Sequence, residues 1–175
     1  MDAERLVLQS IIDLCGHGPD GYDCFREGDA YRVRLWGSLP PMWAANLALH
    51  ASALGIEIVS GDAARIGGSR WAAVFRVRAA DPRAEPGRHD FLHMARRAAR
   101  FLPRLAEPEI RITLEDAPEG ANVVVARVTG KDVIGLLGET LRRFEALSLQ
   151  PCGFSLRAKD NQVDDRFWLE RVQSR

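Results

Sequence analysis

Between Tyr31 and Trp36 apolar and polar side chains alternate, with Tyr31, Val33 and Leu35 on one side and Arg32, Arg34 and Trp36 on the other. A period of two puts successive side chains on opposite faces, so this segment reads as a strand with one buried face. Beyond it Trp43, Leu47, Ala51 and Leu54 recur at helical spacing, with Ser38 as a candidate cap, Pro40 or Pro41 in the first turn and Gly55 at the end. A strand from Ile56 to Ile66 then turns through Gly67-Gly68-Ser69 into another, where Trp71, Ala73, Phe75 and Val77 alternate with Arg76 and Arg78. These two read as a hairpin. After a loop with Pro82, Pro86 and Gly87, the stripe Phe91, Ala95, Ala98, Leu102 and Leu105 predicts a helix that Pro103 helps to end, and Ile110, Ile112 and Leu114 predict a strand.

Strand, helix, strand, strand, helix, strand is the βαββαβ order, and half-buried strands in that order predict an antiparallel sheet with helices on one face. The remaining chain begins the plan again: a strand from Val123 to Val128, a helix marked by Leu137, Leu141 and Phe144, and two strands joined at Asp160-Asn161. The expected fold class is therefore α+β, with two ferredoxin-like units at 29–117 and 118–175. The second copy lacks its last helix and strand. An amphipathic helix from Asp2 to Cys15, with Leu8, Ile12 and Cys15 on its stripe, and a weaker strand from Tyr22 to Glu27 are available to complete it. In that arrangement Leu8 and Ile12 touch Leu141 or Phe167; in the alternative, the helix packs outside the first unit.

Charge narrows the partners. The 175 residues carry 24 basic and 24 acidic side chains, a formal balance of zero, which disfavours a polyphosphate partner held mainly by counterion release. A chain 46% hydrophobic and 27% charged is expected to fold. Three scattered cysteines fit reduced thiols, and no run of apolar residues is long enough for a signal peptide or a membrane span, so the expected location is the cytoplasm with no membrane partner.

Catalytic constellations are weak. His89 and His93 sit four apart with Asp90 between them, the spacing of zinc proteases, but no third ligand is evident and the residue following the first histidine is Asp90 where a glutamate is normal. Cys15, His17 and Cys24 match no common zinc spacing. Nucleophile-elbow and phosphate-loop motifs are missing. An RNA-binding sheet would use Trp36, Arg32 and Arg34, but Ala72, Val74 and Arg76 give it no second aromatic platform. The expectation is a non-enzyme with no cofactor, no metal and no nucleic acid.

Two stretches, Asp132-Val133-Ile134-Gly135-Leu136-Leu137 at a strand-to-helix turn and Asp164-Asp165-Arg166-Phe167-Trp168-Leu169 in a strand, give the region from Val123 to Val172 its likeness to a known family. It resembles an ACT domain, most closely the ACT repeats at the carboxy end of nitrogen-regulatory uridylyltransferases, with Ile134 at a position where that family has proline. The resemblance implies a regulatory module that binds an amino acid at a junction of units, with Lys131, Asp132, Val133, Ile134, Gly135 and Leu136 as ligand-binding residues. A glycine lets backbone approach a ligand, and the first amides of a helix favour an anionic group. Asp132 has two competing expectations, a helix cap or a partner for an ammonium group. The apolar residues Trp36, Val74, Val123 and Val125 on the outward face predict that two sheets meet side by side or that the chain forms a homodimer, with a regulated protein as a further partner. The alternative is a dimerisation or protein-interaction module without ligand.

Overall fold

A computed structural model describes residues 9–13, 18–99, 110–115, 123–133 and 135–171. In chain order the elements are β1 (Gly21–Glu27), β2 (Ala30–Ser38), α1 (Trp43–Ala53), β3 (Ile56–Gly67), β4 (Arg70–Ala79), a 3₁₀ turn at Pro86–Arg88, α2 (Phe91–Arg96), β5 (Ile110–Glu115), β6 (Val123–Lys131), α3 (Leu136–Ala146), β7 (Leu149–Lys159) and β8 (Gln162–Arg171). All eight strands form one antiparallel sheet in the order β1-β2-β4-β3-β7-β8-β6-β5. Read inward from either edge the order is the same, because the succession ββαββ occurs twice and the halves join through β3 and β7.

This pairing overturns the two ferredoxin-like units and the ACT-type architecture expected from the sequence. The strand at Ile110–Glu115 does not close the first copy; it pairs with β6 across Ile110↔Gly130 to Glu115↔Val125. Nor does the amino-terminal segment complete the second copy: β1 pairs with β2 across Gly21↔Trp36 to Glu27↔Ala30. The reason is local. Gly28 takes the left-handed conformation (φ 65°) in the tight turn between β1 and β2, and closing a two-residue turn costs far less chain entropy than returning a strand from the other end of the molecule. Within the described residues 9–13, which are helical, Ile11 is buried with Ala72 and Val74, and Ile12, Trp36 and Ile66 pack around them. Ile12 thus belongs to the outward face of the first half, away from Leu141 and Phe167; Leu8 lies outside the described residues.

The alternation expected in β2 and β4 is present, with Val33, Leu35, Ala73, Phe75 and Val77 all nearly inaccessible. Ala72 and Val74, on the opposite face of β4, are buried as well because Ile11 lies over them. The helix anticipated from Phe91 runs to Arg96, capped by Asp90, whose carboxylate accepts from the His93 amide at 2.8 Å. Residues 100–109 lie outside the described part. No described helix is long and apolar enough to cross a membrane.

One core serves both halves. Trp43 on α1 meets Trp71, Phe75 and Phe154, with ring centroids 5.4, 6.2 and 5.9 Å away. Phe154 in turn meets Phe167 at 6.0 Å, and Phe167 meets Phe144 of α3 at 5.2 Å. Such tilted and edge-on ring pairs add about 0.5–1.5 kcal/mol each beyond simple burial. Helix α1, apolar nearly all round, is wedged between the sheet, α2 and α3, whereas α3 keeps Arg142 and Arg143 outward and turns Leu141 and Phe144 inward. The helices approach closely because Gly138 faces Leu49: a methyl group there would sit 3.0 Å from Leu49 Cγ.

At the seam, residues Ser60 to Ala64 of β3 pair with Arg157 to Gly153 of β7. Arg157 Nη2 donates to both oxygens of the buried Asp62, at 3.0 and 3.3 Å. Losing one partner of such a pair strands a charge.

Candidate functional site

The corner between β6 and α3 follows from its backbone. After Lys131 the Asp132 amide donates to Asn161 O at 2.8 Å, tying the corner to the β7–β8 turn. Gly135 then takes a left-handed conformation (φ 88°), which glycine adopts without a Cβ penalty, and the Glu139 amide donates to its carbonyl at 3.1 Å to start α3. No side chain caps this helix. Asp132 is thus not the cap, and the Leu136 amide is taken by Val133 O at 3.0 Å.

A cavity of about 120 Å³ opens here. Of the residues expected at the site, Asp132, Val133, Gly135 and Leu136 line it. Lys131 is exposed at the end of β6 and is not in the lining, and Ile134 lies outside the described residues. The other wall comes from the first half of the chain: Ala48 and Ser52 on α1, and Ile56 to Val59 on β3. Leu156, Asn161 and Asp165 of the β7–β8 hairpin form the floor and end. The cavity is a junction of the two halves.

Its charged lining residues are Glu57, Asp132, Asp165 and Arg157. Asp165 is 6% exposed. Burial, reinforced by the Asp132 and Asp164 charges, has pushed its pKa up to about 7 even though its Oδ1 accepts the Arg157 amide at 2.9 Å and the Arg157 charge favours ionisation. Asp132 is raised too, first by burial and then by Glu57, with Arg78 pulling the other way. Glu57 itself accepts from Arg78 Nε at 2.6 Å, so its charge is largely answered. Burial thus disfavours the ionised forms of Asp132 and Asp165, and the one guanidinium among the described lining residues, Arg157, is bonded to Asp62. Among the described residues no cluster of three or more His, Cys, Asp or Glu side chains is grouped to hold a metal ion.

Asp165, which lines the cavity, was open to discovery from the sequence but is not among the residues expected there. Phe167 and Leu169 mark the inward face of β8, and the same alternation carries Asp165 inward and Asp164 outward. The outward neighbour meets Arg127 at 2.6 and 2.7 Å, and that hydrogen-bonded pair lowers its pKa. Two adjacent aspartates thus have opposite titration behaviour because one is paired with an exposed guanidinium and the other is buried beside further carboxylates. Glu57, Ser52 and Asn161 come from segments that no local pattern connects to the β6–α3 turn.

The histidine pair lies at the start of α2. His89 and His93 flank the Asp90 cap, and the His93 amide is what the cap binds. Cys24 is half-buried with its thiol 3.9 Å from Pro86 O, while Cys15 and His17 lie outside the described residues. Comparisons of the chain with models of protein families, with curated proteins and with solved structures return no match.

Proposed function

We propose that the protein is a non-catalytic binder of a small ligand bearing an ammonium group, an amino acid being the simplest that fits, in the cavity at the β6–α3 corner. The supporting observation is the pair of carboxyl groups raised by burial, Asp132 and Asp165, in the lining of one cavity. A carboxylate raised by burial gains most from a cation brought close, because the attraction acts in a low-dielectric site. The Leu136 amide already serves Val133 O, and the positive end of the α3 dipole supports a ligand carboxylate at this corner. A volume near 120 Å³ restricts the choice to small amino acids. Because both halves line the site, binding stabilises their junction and so communicates occupancy to whatever rests on the sheet or helices.

The test is calorimetric titration and thermal shift on the full chain with glycine, alanine, methylamine and acetate. Glycine or alanine is expected to raise the melting temperature, methylamine less, and acetate not at all. Cation binding favours the ionised form of Asp165, so affinity should climb as pH rises from 6 to 8, by up to about tenfold, with a proton released on binding at pH 6. Asp132→Asn should weaken binding by roughly tenfold. A flat response to all four compounds would favour a ligand-free interaction module.

A further inference from the structure

The corresponding corner of the first half, between β2 and α1, holds a second cavity, of about 230 Å³. It is larger than the site just described and chemically unlike it. We propose that it is a separate binding site for a small aromatic carboxylic acid.

Three observations carry this. The floor is formed by Leu39, Trp43, Trp71, Leu141 and Phe154, all nearly inaccessible, with Trp43 edge-on to Trp71 at 5.4 Å and tilted to Phe154 at 5.9 Å. Rings arranged this way present edges and faces to a further ring, and a cavity of about 150 Å³ in another protein already admits benzene, so this one accommodates a ring with a substituent. The polar donors are also specific. Trp36 donates its indole N–H to Pro19 O, whereas those of Trp43 and Trp71 have no protein partner among the described residues and are not buried, so they stay open to solvent. Indole donors left in reach of solvent are available to a ligand oxygen. Finally, Arg65 is the one charged residue among the described residues lining the cavity. Glu170 engages one of its terminal nitrogens, and a guanidinium has five N–H donors, so Arg65 retains capacity for a ligand carboxylate.

The rim is tied together by hydrogen bonds. Ser38 and Ser69 share a hydroxyl hydrogen bond of 2.6 Å, the Leu39 amide donates to Ser69 O at 2.9 Å, and the exposed Pro41, Gly68 and Ser69 stand at the entrance. The ring enters past them, its carboxylate toward Arg65.

The experiment is a titration of the ¹⁵N-labelled full chain with phenylacetate, benzyl alcohol and phenethylamine, followed through the four indole N–H resonances. Phenylacetate should bind saturably, shifting the Trp43 and Trp71 resonances and leaving those of Trp36 and Trp168 in place; benzyl alcohol should bind more weakly and phenethylamine most weakly. Ala44→Leu, which fills the cavity from α1, should weaken phenylacetate by at least about tenfold. Ser69→Leu at the exposed rim provides the same test should the first variant lose its fold by circular dichroism. No saturable shift, shifts unaltered in whichever variant is folded, or phenethylamine binding as tightly as phenylacetate would each overturn the proposal.

Discussion

The two strand-to-helix corners have the same backbone and opposite chemistry. Met42 and Gly135 each stand just before the first residue of an 11-residue helix, and both are left-handed, at φ 64° and 88°. Around Gly135 the lining includes Glu57, Asp132 and Asp165; around Met42 it is Trp43, Trp71 and Phe154. The lesson is that the repeated ββαββ order fixes where a cavity falls, and a handful of side chains then decides what it can hold.

That comparison can be broken most forcefully at the residue the halves share. Phe154 lines the aromatic cavity and links Trp43 to Phe167, so Phe154→Ala should cost about 3–5 kcal/mol and lower the stability of both corners together, read as a single urea transition moved to lower midpoint. Two separate transitions would show that the halves unfold independently.

The next effect separates the corners. The Asp165 carboxyl ionises near its ordinary value in the unfolded chain but near 7 in the folded one, so the folded state binds more protons between about pH 4 and 7. Stability contributed by this group is accordingly lost as pH rises through that window, by at most about 4 kcal/mol. Asp165→Asn, which stays neutral and keeps an oxygen for the Arg157 amide, should stabilise the protein by about 1–3 kcal/mol at pH 8 and by much less at pH 5. Denaturation curves at the two pH values check this, and an equal gain at both would exclude ionisation as the cause. The same variant should bind the ammonium ligand less well, a trade of function for stability.

The smallest effects come from exchanging the turn residues. Gly135→Met should cost about 1–2 kcal/mol, because a residue with a Cβ must occupy the left-handed region. Met42→Gly relieves the same strain but loses the half-buried side chain, and its net change should stay below about 1 kcal/mol. Midpoint shifts at constant denaturant slope measure both.

Much of this was legible in the chain. Alternation located β2, β4 and β8 and assigned their inward faces, since burial of one face leaves a period of two that little else produces. Helices α1 and α3 showed in the spacing of Trp43, Leu47 and Ala51 and of Leu137, Leu141 and Phe144. Alternation states which face a residue takes and is silent on which strand lies alongside, so the edge strands β1 and β5 were assigned to the wrong neighbours. Asp132 and Gly135 were named from a single turn motif and both line the cavity, while Glu57 and Asp165 reach the same cavity through tertiary packing. The aromatic cavity left no local trace at all: Trp43 and Trp71 read as ordinary core residues, and its lining is assembled from four separated segments.

The seam between β3 and β7 has a further consequence. Two identical subunits meeting edge to edge about a two-fold axis would be compelled to keep both corners alike, since every substitution would appear twice. Carrying both copies on one polypeptide lifts that obligation: a mutation at one corner leaves its counterpart untouched, so a carboxyl-bearing niche and an aromatic one can coexist on a single scaffold, each free to specialise.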